Sequence, residues 1–200
     1  MAAPSLQEIF DNNRYQLKYA AVMSTAWFNQ QAAYLRRQGI TSLRALKDND
    51  DLKWSMEVVP GKLYMYMYNA KHKDTLPYWD MFPLVFPFRK TPDGKGFYGL
   101  NMHYIPYQYR IKILDSLIDI DLSKKTDNKK LQLSWNLISN ASKLKPLEAC
   151  VHMYLHNHVM SAFKLIYPKD WATAMLLPTA KFVGATQTHV WAESKKKAGY

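Results

Sequence analysis

Cysteine is nearly missing. Cys150 is the only one in 200 residues, so no internal disulfide can form and a reducing compartment is expected. No apolar run reaches the roughly 20 residues that a bilayer-spanning helix needs, so no membrane segment and no membrane partner are expected. The start MAAPSLQEIFDNNRYQ has neither the basic lead nor the apolar stretch of a secretory signal. Glycine-rich phosphate loops, GxSxG elbows and zinc-ribbon spacings are also absent. Those absences exclude the commonest phosphate-binding and hydrolytic sites, and the reading is a non-enzymatic chain without a cofactor or metal.

Acidic residues are scarce relative to basic ones. Lys+Arg number 27 against Asp+Glu 16, a formal net charge of +11, which creates a field attractive to polyanions or acidic protein surfaces. The same charge also serves solubility. The basic residues Arg36, Arg37, Lys124, Lys125, Lys129, Lys130, Lys143, Lys145, Lys195, Lys196 and Lys197 are spread along the chain. They form a DNA-binding surface only if the fold gathers them. The candidates for nucleic-acid contact are Arg36, Arg37, Lys124, Lys125, Lys129, Lys130 and Lys195 to Lys197.

Hydrophobic residues at 48% and aromatics at 14% suffice for a folded core. Ser5-Leu6-Gln7-Glu8 has the pattern of a capping box, and apolar positions from Ile9 to Leu35 recur at helical spacing up to Gly39. A long N-terminal helix is expected. Lys62 to Asn69 alternates Leu63/Met65/Met67 with Tyr64/Tyr66/Tyr68, a strand period. Met81 to Lys90 reads as a second strand, with Pro83 and Pro87 predicting an edge position or a bulge. Pro92-Asp93-Gly94-Lys95-Gly96 is a turn joining it to a third strand over 97–105.

After a long polar loop between the first two strands, helices are predicted over 107–120, 131–143 and 146–155. Strands over 161–167 and 172–177 flank Pro168-Lys169-Asp170, and a helix over 179–193 precedes the lysine tail. The resulting class is α+β: a small five-stranded SH3-like β-barrel with a long N-terminal helix, a helical insertion and a C-terminal helix. Its parts are an N-terminal helical region 1–58, the barrel 59–178 with insertion 106–158, and a helix with basic tail 179–200.

Cys150, His152, His156 and His158 fall close together, and on a helix His152 and His156 share one face with Glu148. That is the geometry of a two-histidine metal site, but a histidine-bearing helix end explains it as well and no metal is expected. Asp80, Asp115, Asp119, Asp121 and Asp170 are the carboxylates that could serve His103 or His189, and Asp115 with Asp119 could hold a divalent cation for phosphodiester cleavage. The aromatic surplus carries more weight. Trp27, Tyr64, Tyr66, Tyr68, Tyr78, Trp79, Tyr98 and Tyr104 are candidates for a protein–protein interface, with barrel filling as the competing account.

The runs "PGKLYMYMYNAKHKDTLPYWDMFPLVFPF", "GFYGLNMHYIP" and "WATAMLLPTAKFVGATQTHVWAES" resemble proteins of T-even-like contractile-tailed bacteriophages. The pattern is associated with virion components and with the family labelled DNA end protector. The resemblance implies a structural component of the neck, tail or baseplate, docked against other virion proteins in a symmetric assembly. It also implies an alternative, a protein that binds the end of the packaged double-stranded genome, and more remotely a head-completion nuclease. The expected location is the virion, and the host cytoplasm during assembly. No catalytic residues are implied.

Overall fold

The alternation of Leu63 and Met65 with Tyr64 and Tyr66 builds a strand buried on both faces. It is strand β2 (Leu63–Met65) of a computed structural model that describes residues 54–55, 57–107, 109–110, 113–114, 145–167, 171–176 and 179–198. The other strands of its sheet are β1 (Trp54–Ser55), β4 (Leu84–Lys90), β5 (Gly96–Asn101), β6 (Val151–Leu155) and β7 (Phe163–Ile166). All pairings are antiparallel, in the order β1-β7-β2-β4-β5-β6. A separate pair joins β3 (Trp79–Asp80) to β8 (Phe182–Val183). Helices α1 (Lys145–Glu148), α2 (Trp171–Leu176) and α3 (Gln187–Ala198) follow, and positions 107, 109, 110, 113 and 114 are helical.

β2 and β6 stand three places apart in this order, about 14 Å in a flat sheet at ~4.8 Å per strand. Yet Tyr68, just past β2, bridges to Val159, just past β6, and the rings of Tyr66 and Tyr154 lie 5.6 Å apart. The sheet therefore curls strongly. It does not close into the expected barrel, because between β6 and β7 the chain turns through a 3-10 helix, His156–His158. That turn meets the end of β2 through one isolated bridge rather than a ladder.

The curl leaves two cores. Leu63, Met65, Leu84, Phe86 and Leu100 pack with Trp171, Met175 and Val190 of the helices. On the concave side Tyr64, Tyr66, Val85, Phe97, Tyr154 and Phe163 form an aromatic core. Tyr66 sits at its middle, with ring centroids 4.9 Å from Phe163 and 6.1 Å from Phe97, all edge-on, the arrangement ring quadrupoles favour. The side chain of Met67, in contrast, is exposed.

Of the edge position or bulge expected for the second strand the structure shows the bulge, between Pro87 and Arg89 of internal β4, and Pro83 precedes the strand. Several other expectations are corrected. The third strand stops at Asn101, whose side chain accepts from His103 N and caps a 3-10 turn over Met102–Tyr104. The segment over 146–155 is helical only as far as Glu148, and the alternating VHMYL becomes β6, with Tyr154 opposite Phe97. Residues 172–177, expected as a strand, fall mostly in α2, consistent with the high helix propensity of Ala, Met and Leu. The last helix begins at Gln187, not 179, since β8 and Gly184 (φ 85) intervene. β1 pairs with β7, which ties the end of the 1–58 region to the sheet. The long N-terminal helix, the helix over 131–143 and most of that over 107–120 lie outside the described residues.

Candidate nucleic-acid interface

Three segments far apart in sequence meet around a cleft of about 460 Å³. They are the long loop between β2 and β3, strand β6, and the last turns of α3. The loop is turned on itself by Lys73 N and Leu76 N donating to Ala70 O and His72 O at 3.2 and 2.9 Å, which leaves Lys71, His72 and Lys73 exposed. Gly184 lets the loop approach the entry to α3, because a Cβ there would sit 2.6 Å from Pro77 O. Thr186 then starts α3, its Oγ1 accepting from His189 N at 3.3 Å. The last turn of α3 carries Lys195, Lys196 and Lys197, where cations suit the helix dipole. Lys71, His72 and Lys197 all line the cleft.

Its inner wall is aromatic. Tyr104 and half-buried Tyr78 line it with ring centroids 6.1 Å apart, and His152 packs on Tyr104 at 4.1 Å. His152 Nε2 is buried and has no hydrogen-bond partner among the described residues, a state that costs about 1–3 kcal/mol when left unmet. Burial pulls the His152 pKa down to about 4, with Lys197 acting in the same sense and Asp80 opposing. The imidazole is therefore neutral near pH 7.

Behind that wall lies a closed polar network. Asp80 Oδ2 accepts from His103 Nδ1 at 2.7 Å and Asn101 Nδ2 at 3.2 Å. Its Oδ1 accepts from the backbone of Phe82 and Lys181 at 3.0 and 3.3 Å. Burial alone would raise the Asp80 pKa, but His103 and these donors outweigh it and hold the carboxyl below its usual range. Burial lowers the His103 pKa against the pull of Asp80, so a neutral ring donates to Asp80 and accepts from Thr179 Oγ1 at 2.6 Å. The order carboxylate, imidazole, hydroxyl matches that of hydrolytic triads. All three side chains are buried, however, and neither His103 nor Thr179 lines the cleft. The network's evident work is to fix the β3–β8 pair against the sheet.

Arg110 adds a second anchor. Fully buried, it donates to Ile105 O, Met175 O and His103 O at 2.6, 2.7 and 3.1 Å, with its guanidinium 4.6 Å from the Tyr107 ring. Burial lowers its pKa to about 10, so the charge persists at neutral pH and is solvated by carbonyls and aromatic faces.

Of the candidate interface residues, Tyr64, Tyr66, Tyr68, Trp79 and Tyr104 are buried in the chain's own core. Tyr64, Tyr66, Tyr68 and Trp79 fill the curl of the sheet and Tyr104 packs in the core on the helix side, while Tyr68, Trp79 and Tyr104 also edge the cleft. Tyr78 is half-buried, as is Tyr98, whose ring lies 4.7 Å from the Arg89 guanidinium carbon. Lys196 and Lys197 are exposed and Lys195 half-buried. Trp27, Arg36, Arg37, Lys124, Lys125, Lys129, Lys130, Asp115, Asp119, Asp121 and Asp170 lie outside the described residues.

Glu148, His152 and His156 sit on a short helix, a strand and a 3-10 turn, not on one helical face. Among the described residues no group of three or more His, Cys, Asp or Glu could hold a metal ion. Sequence reasoning missed Lys71-His72-Lys73, a basic triplet inside a loop read only as polar. That Lys71 and His72 line one cleft with Lys197 is a product of tertiary pairing, which no local pattern reports.

The family model for the Phage T4 terminal DNA protecting protein matches residues 13–197 of the chain. No curated protein and no solved structure matches it.

Proposed function

The chain belongs to the Phage T4 terminal DNA protecting protein family, and from that premise we propose that it binds the ends of linear phage DNA and shields them by occupancy, without chemistry of its own. Family membership favours this over the reading as a structural component of the neck, tail or baseplate. The observation that carries it into this chain is the gathering of Lys71, His72 and Lys197 around one cleft. Basic residues scattered in sequence form a phosphate-binding surface only when the fold brings them together. The lysines of the last turn of α3 extend that surface. Lys124, Lys125, Lys129 and Lys130 supply further cations, and Arg36 and Arg37 belong to the same role.

The order β7-β2-β4-β5-β6, with a long first loop and a 3-10 turn before the last of these strands in sequence, supports reading the sheet as an opened SH3-like fold. The virion, and the host cytoplasm during assembly, is the setting in which free genome ends need cover. Other virion proteins are the further partners of such a role.

The test is protection of linear duplex from a processive exonuclease, beside binding to linear and closed circular DNA of equal length. The expected results are slowed digestion and tighter binding to the linear form. Equal affinity for both forms, with no protection, would overturn the reading.

A further inference from the structure

The cleft is far too small for a duplex terminus but lies within the ~300–1,000 Å³ typical of pockets that enclose a small molecule. It offers what an unpaired nucleotide requires. Half-buried Tyr78 supplies aromatic surface for a base, backed by the buried Tyr104 ring 6.1 Å away, since stacking of bases on aromatic side chains is the common means of holding them without sequence preference. Lys71 and Lys197 supply charge for the adjoining phosphate. His152 lines the cleft with a buried Nε2 that nothing among the described residues satisfies. The carboxylate that also lines the inner wall, Asp80, is occupied by His103, Asn101 and two backbone donors. Both it and exposed Asp93 at the rim, which accepts from Thr91 Oγ1 and Lys95 N, keep their negative charge, so a phosphate is held on the side of Lys71 and Lys197 and not against either carboxylate.

We propose that this cleft receives one terminal nucleotide of the DNA, peeled from its partner, and that this capture is what distinguishes an end from an interior stretch. The inference rests on the end-binding reading. It adds a physical source of end selectivity that a charged surface alone lacks. Phosphate contacts are the same along the whole duplex. Unstacking, in contrast, costs least where a base is already unpaired, and a terminal nucleotide has a stacked neighbour on one side only. The neutral His152 ring contacts the base edge or the sugar, and the lysines hold the phosphate behind it.

The experiment compares three DNAs of matched length with the full chain: a closed circle, a linear duplex with G·C-clamped blunt ends, and a linear duplex with a single unpaired nucleotide at each end. The unpaired end is expected to bind at least about tenfold tighter than the clamped end. A 2-aminopurine placed at the terminal position should change its emission on binding, while one placed internally should not. Ala149→Trp, which fills the cleft without altering charge, should bring the unpaired-to-clamped ratio close to one. Tyr78→Ala should lower the same ratio, and serves as the second variant if Ala149→Trp does not fold.

Preference for linear over circular DNA with no difference between unpaired and clamped ends, unaffected by either variant, would overturn the cleft proposal while leaving end binding intact. Loss of any preference between linear and circular DNA would overturn the end-binding reading itself. A free deoxynucleoside monophosphate should compete for unpaired ends, and inorganic phosphate at equal concentration should not. Equal competition by both would reduce the cleft to an anion site and sink the nucleotide assignment.

Discussion

His103 and His152 are both buried imidazoles, yet one is fully partnered and the other is not. Both resist protonation, and the consequence for stability has a definite sign. Below about pH 6.5 the unfolded chain takes up protons on these histidines, while folded His152 stays neutral down to about pH 4. The unfolded state therefore binds more protons in that window, and stability falls as pH drops through it. At about 1.4 kcal/mol per pKa unit, His152 alone accounts for at most roughly 3 kcal/mol of that loss. Asp80, held below its usual range, adds a further loss only at lower pH, as its carboxylate protonates. Urea midpoints should be level above pH 7 and decline from pH 6.5 toward 4, with a shallower decline in His152→Gln. A midpoint that rises on acidification would contradict this assignment. Asp80 and His103 were recognisable in the sequence as possible partners. That both are buried and bonded to the segment leading into β8 was not, because those partners lie 76 and 101 residues further along the chain. Arg110 tests the same interior: Arg110→Met leaves carbonyls short of a donor and should cost about 1–3 kcal/mol, read as a shift in the urea midpoint.

Strands and turns were readable wherever the signal was local. The alternation around β2, the bulge implied by Pro87, and the Pro92–Gly96 turn with Gly94 at φ 67 all stand in the structure. The elements misread were those whose partners are remote. VHMYL fits a helix or a strand on its own residues, and pairing with β5 decides it. Ala172 to Leu176 has a short apolar run that reads as a strand, yet it forms a helix whose Ala174 and Met175 pack on the sheet. The onset of α3 was misplaced because Gly184 was not recognised as the break that lets Thr186 act as the cap. Thr186→Ala should therefore destabilise the chain by about 1 kcal/mol, measured by chemical denaturation. It should also loosen the lysine-bearing turn, seen as faster amide exchange over α3. An unchanged midpoint and exchange pattern would show that the helix is held by packing of Val190 and Trp191 alone.

Across the whole molecule, the +11 charge suited a polyanion or an acidic protein surface but did not say where either would sit. Charge is legible in composition, whereas its convergence depends on the curl of the sheet and on the β3–β8 pair that sets α3 beside the loop. If that convergence is the DNA surface, it has a measurable electrostatic signature. Each lysine that neutralises a phosphate releases condensed counterions, so the logarithm of the binding constant falls with the logarithm of salt concentration by about 0.9 per contact on duplex. Lys71→Glu with Lys197→Glu should flatten that slope by about two and weaken binding to linear and circular DNA alike at low salt. Charge reversal at Arg89 and Lys90 changes net charge by the same amount at exposed positions absent from the cleft lining. It should leave the slope nearly as it is, lowering affinity only through the weaker overall field. An equal change of slope from both double variants would mean that the chain attracts DNA through net charge and not through the gathered surface.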